Sequence, residues 1–307
     1  MYNKFYGFSE APFNMTPSSR FFFESTKHTE ALSTMVYAVE QRKGFVVITG
    51  EIGSGKTTIC RTMLNQLDSH TETALITNTH ISGKDLLCTI LEDLEVDYQS
   101  GSKARLLSQL NSYLIQQIQN DKNVVLIIDE AQNLSPSVLE EVRMLSNLET
   151  ENEKLIQIIF LGQPELKQKL ALNRLEQLRQ RIAVFYHLSA LNEEETKGYI
   201  LHRLKVASGT DREYFTEGAL RLIYPFTRGT PRLINQICDS ALLSGYIYGV
   251  DMVDEKIMHE VIKESPISQL GGGSTTKMLR KLDAFEQEKA NRDPLSTSFP
   301  EPSEFKF

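Results

Sequence analysis

The stretch Gly44–Leu64, GFVVITGEIGSGKTTICRTML, decides the fold. Its apolar run Phe45–Ile48 indicates a buried strand, and the segment from Gly55 onward has helical character. Between the two, the pattern G-x-x-x-x-G-K-T begins at Gly50 and ends at Thr57. This is the full P-loop pattern, and it lies after a strand and before a helix, as that motif requires. The stretch therefore predicts a loop whose backbone N–H groups cradle phosphates at a helix N-terminus.

The loop and the first helical turn supply the candidate nucleotide-binding residues. Glycines let the backbone fold around a phosphate, and Lys56 would neutralise β- and γ-phosphate oxygens. The hydroxyl of Thr57 would ligate Mg²⁺. The full candidate set is Gly50, Glu51, Ile52, Gly53, Ser54, Gly55, Lys56, Thr57 and Thr58.

Two acids follow the apolar run of residues 123–130, NVVLIIDE. A carboxylate at the end of this strand, Asp129, can hold the magnesium ion together with Thr57. The next acid, Glu130, can orient and deprotonate an attacking water. This pairing favours hydrolysis over transfer of the phosphate to a second substrate, although an acid at a strand end can also serve only as a helix cap.

Four polar residues farther along the chain extend the predicted site. Gln163 follows a strand and could contact the γ-phosphate or the water, or be only a turn residue before Pro164. Arg179 and Arg181 precede the last strand, where an arginine would reach a neighbouring subunit's nucleotide more readily than its own; a solvated basic turn is the alternative. Arg232 could reach back over the phosphates, or lie on the surface of a proline-initiated helix.

The alternation of strands and helices indicates an α/β core with a five-stranded parallel sheet covered on both faces. The predicted strands are 46–49, 73–77, 123–130, 155–162 and 182–188, and the predicted core helices are 27–43, 55–68, 82–94, 103–120 and 135–148. From about residue 192 the pattern is helical only, over 192–207, 215–226, 231–248 and 253–263, which indicates a small all-α second domain.

Four segments follow from these patterns. Residues 1–26 form an extended, aromatic N-terminal arm that packs onto the body, and residues 27–190 form the P-loop α/β domain. Residues 191–264 form the helical lid domain. Residues 265–307 form a flexible linker and tail, with an amphipathic helix predicted over 277–290.

Composition restricts the class of function. The formal net charge of −7 does not favour bulk binding to nucleic acid or anionic lipid. The three cysteines form no CxxC pair, and the six histidines show no metal-ligand spacing. Neither a signal peptide nor an 18-residue apolar run is visible. We therefore expect a cytoplasmic protein with reduced thiols.

The motifs together resemble the AAA+ ATPases, because a P-loop, a strand-end Asp-Glu, a polar strand-end residue, arginines before the fifth strand and a lid with GTPR occur in that order. More narrowly, the chain resembles the general secretion pathway protein A (ExeA-type) group over about residues 3–262. The matching text is FYGFSEAPFNMTPSSRFFF, LIIDEAQNLSPSVLEEVRMLSNLET, IIFLGQPEL, LRQRI and GTPRLINQICD. The shorter members of this group, which serve MSHA-type pilus biogenesis, are the better match.

The resemblance implies that the nucleotide is ATP, that residues of the arm near His28 help to enclose the adenine, and that copies of the chain assemble into hexamer-like rings or filaments. It assigns Walker A to Gly50–Thr57, Walker B to Asp129 with Glu130 catalytic, sensor 1 to Gln163, the finger to Arg179 or Arg181, and sensor 2 to Arg232. Longer relatives continue into a membrane-spanning helix and a peptidoglycan-binding domain. We do not expect peptidoglycan binding to carry over.

Three functions compete. The first is an ATP hydrolase that supports an envelope machine, either type II secretion or an MSHA/type IV-like pilus, and is drawn to the inner membrane by a secretion or pilus protein. The second is a DNA-associated regulator resembling the transposition ATPases, with residues 167–181, KQKLALNRLEQLRQR, lining a pore; the net charge disfavours it. The third is a nucleotide switch with negligible turnover, against which Glu130 argues. The tail either docks on a membrane-protein partner or is solvated.

Overall fold

A parallel sheet organises the computed structural model, which describes residues 1–149, 154–266 and 268. Five strands pair in the order β2-β3-β4-β1-β5, and every pairing is parallel. The strands are β1 (Phe45–Gly50), β2 (Thr71–Ile76), β3 (Asn123–Ile128), β4 (Gln157–Gly162) and β5 (Ile182–Leu188). This confirms the predicted core. Because β1 lies between β4 and β5, the loop that follows it leaves the sheet at an interior position.

Helices connect the strands and continue beyond them. Those in the described residues are α1 (Tyr2–Tyr6), α2 (Thr26–Glu40), α3 (Lys56–Gln66), α4 (Gly83–Asp93), α5 (Lys103–Gln119), α6 (Pro136–Leu145), α7 (Pro164–Leu170), α8 (Glu176–Gln180), α9 (Glu193–Ser208), α10 (Glu217–Thr227), α11 (Pro231–Tyr248) and α12 (Glu255–Glu264). Serine side chains cap the N-termini of four of them, as helix-start preferences predict, namely Ser25, Ser82, Ser102 and Ser135. The predicted helices 27–43 and 135–148 end earlier than expected, at Glu40 and Leu145.

The sheet is buried on both faces, which explains why its strands are continuous apolar runs. Successive side chains of β3 alternate between two hydrophobic clusters. Leu126 packs with α4 and α5 residues on one face, and Val125 packs with α2 and α3 residues on the other. This sandwich fixes the carboxyl edge of the sheet, where the loops after β1, β3 and β4 meet.

A second hydrophobic core joins the four C-terminal helices to the N-terminal arm. We call α9–α12 the lid and residues 1–26 the arm. Aromatic side chains of the arm, including Tyr6 and Phe13, are buried in the same cluster as lid residues such as Ile234. The expected extended arm is wrong in one respect, because α1 forms and ends at Gly7 in a left-handed conformation (φ 78°) that glycine tolerates. The arm therefore packs onto the lid.

The predicted tail helix over 277–290 lies outside the described residues. Among the helices that the structure does describe, none has the combination of length and hydrophobicity needed to cross a membrane.

Candidate nucleotide site

The P-loop joins β1 to α3 and needs glycine at two positions, each of which lies against a different neighbouring residue. Gly53 (φ +77°) and Gly55 (φ +103°) both have left-handed backbones. A Cβ on Gly53 would lie 2.3 Å from the Cβ of Arg232, and one on Gly55 would lie 2.8 Å from Nε2 of His28. The loop is therefore in close contact with the lid on one side and with α2 on the other.

Lys56 is folded into the loop and is only 5% exposed. Its Nζ donates to the carbonyl oxygens of Gly50 (2.7 Å) and Glu51 (3.0 Å). Burial lowers its pKa, although the carboxylates of Glu130 and Asp129 act in the opposite direction. The Lys56 ammonium group could donate to phosphate oxygens in place of these two carbonyl oxygens.

The buried hydroxyl of Ser54 adds a second indication that the loop fits an anion. Among the described residues its Oγ has no hydrogen-bond partner. A buried polar group in that state is destabilising unless something else satisfies it. Phosphate oxygens at the loop would supply an acceptor for this hydroxyl.

A threonine and an aspartate meet at the carboxyl edge of the sheet. The hydroxyl of Thr57 donates to Oδ2 of Asp129 at 2.9 Å, and Asp129 is 6% exposed. Thr57 lies in the first turn of α3 and Asp129 follows β3, so the pairing depends on these two elements being neighbours. A hydroxyl and a carboxylate are hard oxygen ligands, which suits Mg²⁺. The two residues predicted to hold the metal are thus brought together.

Glu130 lies beside Gln163 because the strands that precede them, β3 and β4, are parallel neighbours in the sheet. The Nε2 of Gln163 donates to Oε2 of Glu130 at 3.1 Å, and the Nε2 of Gln132 donates to the same oxygen at 2.5 Å. Glu130 has a left-handed backbone (φ 50°), which costs energy in a non-glycine residue and is common at functional sites. Gln132, which the sequence reasoning missed, also accepts from the Gln163 backbone N–H at 3.0 Å.

The Glu130 carboxyl is ionised at neutral pH. Burial alone would raise its pKa, but the hydrogen bonds from Gln132 and Gln163 and the charge of Lys56 outweigh that effect. The pKa of Glu130 consequently lies below its ordinary value. An ionised, amide-held carboxylate next to a phosphate loop is able to accept a proton from water.

One cavity of about 310 Å³ connects these groups to the arm and the lid. This volume is in the usual range for cofactor sites, about 300–1,000 Å³. The P-loop, Glu130 and Arg232 line one part of it, and the backbone N–H of Arg232 donates to the Gly53 carbonyl oxygen at 3.2 Å. Arg232 therefore lies at the cavity, in direct contact with the loop, as its place at the start of α11 predicts.

The other part of the cavity was not foreseen. Arm residues 14–18 line it together with Tyr199, Arg203 and Asn235 of the lid. Tyr199 and Arg203 are four residues apart on α9 and so share one helix face. That spacing was the available sequence signal, but it is equally typical of an ordinary core face.

A chain of hydrogen bonds holds this end together. The hydroxyl of Tyr199 donates to Oδ1 of Asn235 and accepts from Nη1 of Arg203, both at 2.9 Å. Arg203 also donates to the carbonyl oxygens of Pro12 (2.5 Å) and Asn14 (3.3 Å). The arm is thus attached to the lid by a guanidinium group at the cavity wall.

The two finger candidates lie outside this cavity. Nη1 of Arg181 donates to the Ser146 hydroxyl at 2.8 Å, and Nη1 of Arg179 donates to the Leu170 carbonyl oxygen at 3.3 Å. His28 is buried beside the P-loop and does not line this cavity, but together with Phe21–Phe23 of the arm it lines a smaller cavity of about 40 Å³ that shares Gly55 and Tyr199 with the first. The expected role of residues near His28 at the adenine stays a prediction.

Comparison with known proteins agrees with this fold. Residues 39–170 match the family described as AAA domain. The chain is 41% identical over 260 residues to General secretion pathway protein A of Aeromonas hydrophila, which covers 84% of this chain and 47% of that protein. This chain therefore spans about half the length of the curated relative that it matches.

Solved structures of three other proteins have the same fold. Cdc6p of Pyrobaculum aerophilum aligns with a TM-score of 0.64 at 17% identity, over 80% of this chain and 70% of that one. ORC2 of Aeropyrum pernix in its ADP form aligns with a TM-score of 0.67 at 13% identity, over 92% of this chain and 84% of that one. The Thermotoga maritima RuvB Holliday junction branch migration motor aligns with a TM-score of 0.56 at 19% identity, over 82% of this chain and 72% of that one. At these identities the likeness concerns the fold alone.

The chain thus has the P-loop α/β fold of the AAA+ proteins, residues 39–170 match the AAA domain family, and most of the chain is similar to General secretion pathway protein A.

Proposed function

We propose that this chain hydrolyses ATP in the cavity between the P-loop, the arm and the lid. The observation that carries the proposal is the Glu130 carboxylate, which two amide side chains hold at a cavity also lined by Lys56 and Thr57. A nucleotide-binding site without turnover would have no need of an ionised carboxylate in this position.

The phosphate end of the cavity is assigned to the P-loop. Residues Gly50–Thr58 bind the triphosphate through backbone N–H groups, the Lys56 ammonium and the start of α3. Thr57 and Asp129 would hold Mg²⁺, which supplies positive charge to the phosphate oxygens. Arg232 adds a second cation from the lid and is already in contact with the loop through its backbone.

Glu130 acts on the attacking water. Its carboxylate accepts a proton while the water oxygen forms a bond to the γ-phosphorus and the bond from that phosphorus to the ADP oxygen breaks. Gln163 and Gln132 hold the carboxylate and keep it ionised. We also assign Gln163 to the γ-phosphate or the water, which it would reach from beside Glu130, since Gln163 does not itself line the cavity.

The far end of the cavity suits the nucleoside. Arm residues 14–18 line this end together with the polar residues Tyr199 and Asn235 of the lid. We assign the adenine and ribose to this end, with arm residues 14–18 as one wall.

Arg179 and Arg181 are assigned to a neighbouring copy's nucleotide, because neither lies at the cavity of its own chain. Such sharing requires an assembly, which we propose to be a ring or filament of about six copies. An arginine suits the transition-state charge because its planar fork stays ionised and matches phosphoryl oxygens.

The biological role is proposed from the similarity to General secretion pathway protein A. We assign the chain to an envelope machine, either a type II secretion system or an MSHA/type IV-like pilus, where it acts in the cytoplasm and is recruited by an inner-membrane protein of that machine.

The test of hydrolysis compares Glu130→Gln with wild-type protein. We expect the variant to bind ATP with unchanged affinity and to release phosphate at least about a hundredfold more slowly, because the amide cannot accept the proton. Glu165→Gln, which removes a nearby acid of α7, is the matched control and should hydrolyse normally. Equal phosphate release by Glu130→Gln and wild type would contradict the proposal.

The shared site is tested by mixing variants. Arg181→Ala should bind ATP but hydrolyse it slowly, and mixing it with Glu130→Gln should restore part of the turnover. Sedimentation of the mixture checks that the two variants assemble together. Mixed assemblies with no more turnover than either variant would contradict a finger that acts between copies.

The partner is tested with two additions to the ATP-bound protein. Stimulation of phosphate release by an inner-membrane secretion or pilus protein, without DNA, supports the proposed role. A salt-dependent shift of duplex DNA would instead support the DNA-associated alternative.

A further inference from the structure

We infer that His28 positions the phosphate loop, by holding the Ser54–Gly55 peptide group so that the Gly55 N–H points toward the phosphates. The inference rests on the proposed nucleotide site but concerns a residue of α2 that does not line that cavity. His28 is therefore a positioning residue and not a catalytic one.

Both nitrogens of the His28 ring have partners. Nε2 lies 2.9 Å from the Ser54 carbonyl oxygen, and Nδ1 lies 2.7 Å from the Ser25 hydroxyl. Burial lowers the pKa of His28 more than Ser54 and Glu195 raise it, so the ring is neutral at pH 7. A carbonyl oxygen can only accept a hydrogen bond, so Nε2 carries the proton and donates it to Ser54. Nδ1 then accepts from the hydroxyl of Ser25.

The direction of the Gly55 N–H follows from the planarity of the peptide group. In a trans peptide the C=O and the N–H point in opposite directions. Because the Ser54 carbonyl oxygen points at His28, the Gly55 N–H points away from that ring. Gly55 and Lys56 line the cavity, so this N–H is directed to the side on which phosphates would bind.

The ring is also a steric support for the loop. The backbone of Gly55 comes so close to the ring that a Cβ there would be 2.8 Å from Nε2. On its other side the ring is held by Ser25, which is 3% exposed and whose Oγ also accepts the His28 backbone N–H at 3.3 Å. The N-terminus of α2, the imidazole and the loop peptide thus form one continuous contact.

This arrangement predicts a loss that depends on phosphate. Removing the imidazole donor leaves the Ser54 carbonyl oxygen buried without that bond and lets the Ser54–Gly55 peptide rotate. His28 bonds to Ser25 and Ser54, and not to residues 14–18, Tyr199 or Asn235, which line the proposed nucleoside end, so binding of the nucleoside should be unaffected. A merely structural role of His28 would weaken binding of nucleotide and nucleoside alike.

The experiment measures the binding of ATP, ADP and adenosine to full-length variants by titration calorimetry, with ligand-observed NMR for adenosine. His28→Phe keeps a ring but loses the donor, and we expect ATP and ADP to bind roughly fivefold to tenfold more weakly, with adenosine unchanged. His28→Gln has an amide N–H of similar reach and should recover most of the affinity for ATP.

A second variant covers the case in which His28→Phe does not fold. Ser25→Ala removes the hydroxyl that orients the ring and should weaken ATP binding about threefold. It also removes a helix cap, so Ser102→Ala is the matched control. Ser102 caps α5 with the same 3.3 Å bond to a backbone N–H, and its loss should leave ATP affinity unchanged.

Several results would overturn the inference. They are wild-type ATP affinity in His28→Phe, equal losses for ATP and adenosine, no recovery in His28→Gln, or equal effects of Ser25→Ala and Ser102→Ala. A wild-type protein that bound neither ATP nor ADP would instead refute the proposed function itself, and this inference with it.

Discussion

Replacing Gly53 by alanine should separate the lid from the phosphate loop. The new Cβ would lie 2.3 Å from the Cβ of Arg232, so the start of α11 must retreat by roughly 1.5 Å to reach normal van der Waals contact. That movement breaks the 3.2 Å hydrogen bond from the Arg232 N–H to the Gly53 carbonyl oxygen. The left-handed backbone of residue 53 also becomes unfavourable.

The magnitude follows from these two costs. A left-handed alanine costs about 1 kcal/mol relative to glycine, and loss of one hydrogen bond costs about 1 kcal/mol. Together these costs raise the free energy of the arrangement in which the loop and the lid both line the cavity by about 2 kcal/mol. We therefore expect Gly53→Ala to bind ATP roughly thirtyfold more weakly than wild type, as measured by titration calorimetry.

Gly209→Ala is the matched control. Gly209 also has a left-handed backbone (φ +69°), but nothing lies within 4 Å of a Cβ at that position. It should lose about 1 kcal/mol in the free energy of unfolding in urea and keep its affinity for ATP. ATP binding by Gly53→Ala within about threefold of wild type, or an equal loss in Gly209→Ala, would refute the reasoning.

Three further predictions concern single side chains. Lys56→Ala should bind ATP at least about tenfold more weakly in the same titration, because a charged donor is lost; normal affinity would refute the phosphate role. Arg203→Met should release the arm, because it leaves the carbonyl oxygens that the guanidinium contacts unpaired. We expect faster tryptic cleavage before residue 26 and a free energy of unfolding in urea that is lower by about 2 kcal/mol. Unchanged cleavage would show that the aromatic packing alone holds the arm. Burial raises the pKa of the Cys60 thiol to about 12 and that of Cys238 also, so Ellman's reagent should modify Cys88 well before them in the folded protein; equal rates would show that the two cores open readily.

The sequence predicted which side chains meet at the carboxyl edge of the sheet, for a physical reason. Parallel strands end at one edge of a sheet, so residues that follow β1, β3 and β4 meet there wherever they lie in the chain. This placed Thr57 near Asp129 and Gln163 near Glu130. Gln132 was missed because it reaches Glu130 from a short turn, whose geometry no periodic pattern reveals.

The position of the arm shows where prediction from sequence failed. Its aromatic residues predicted packing on the body but not on which part of it. In the structure a single arginine, Arg203, joins α9 to carbonyl groups of the arm nearly two hundred residues earlier. Nothing near either segment in the sequence signals that pairing. The same holds for His28, whose partner Ser54 lies in a different element.

The sequence by itself determined the parallel sheet, the P-loop and the identity of the residues at the strand ends, because strand periodicity and the need for glycine and lysine are local properties. Only the tertiary structure decided that the arm packs on the lid, that Tyr199 and Arg203 line the cavity at the P-loop, and that His28 contacts the Ser54 carbonyl oxygen. Those contacts depend on how distant elements pack. In the sequence, the residues that make them follow the same periodic pattern as ordinary core residues, so the pattern does not distinguish them.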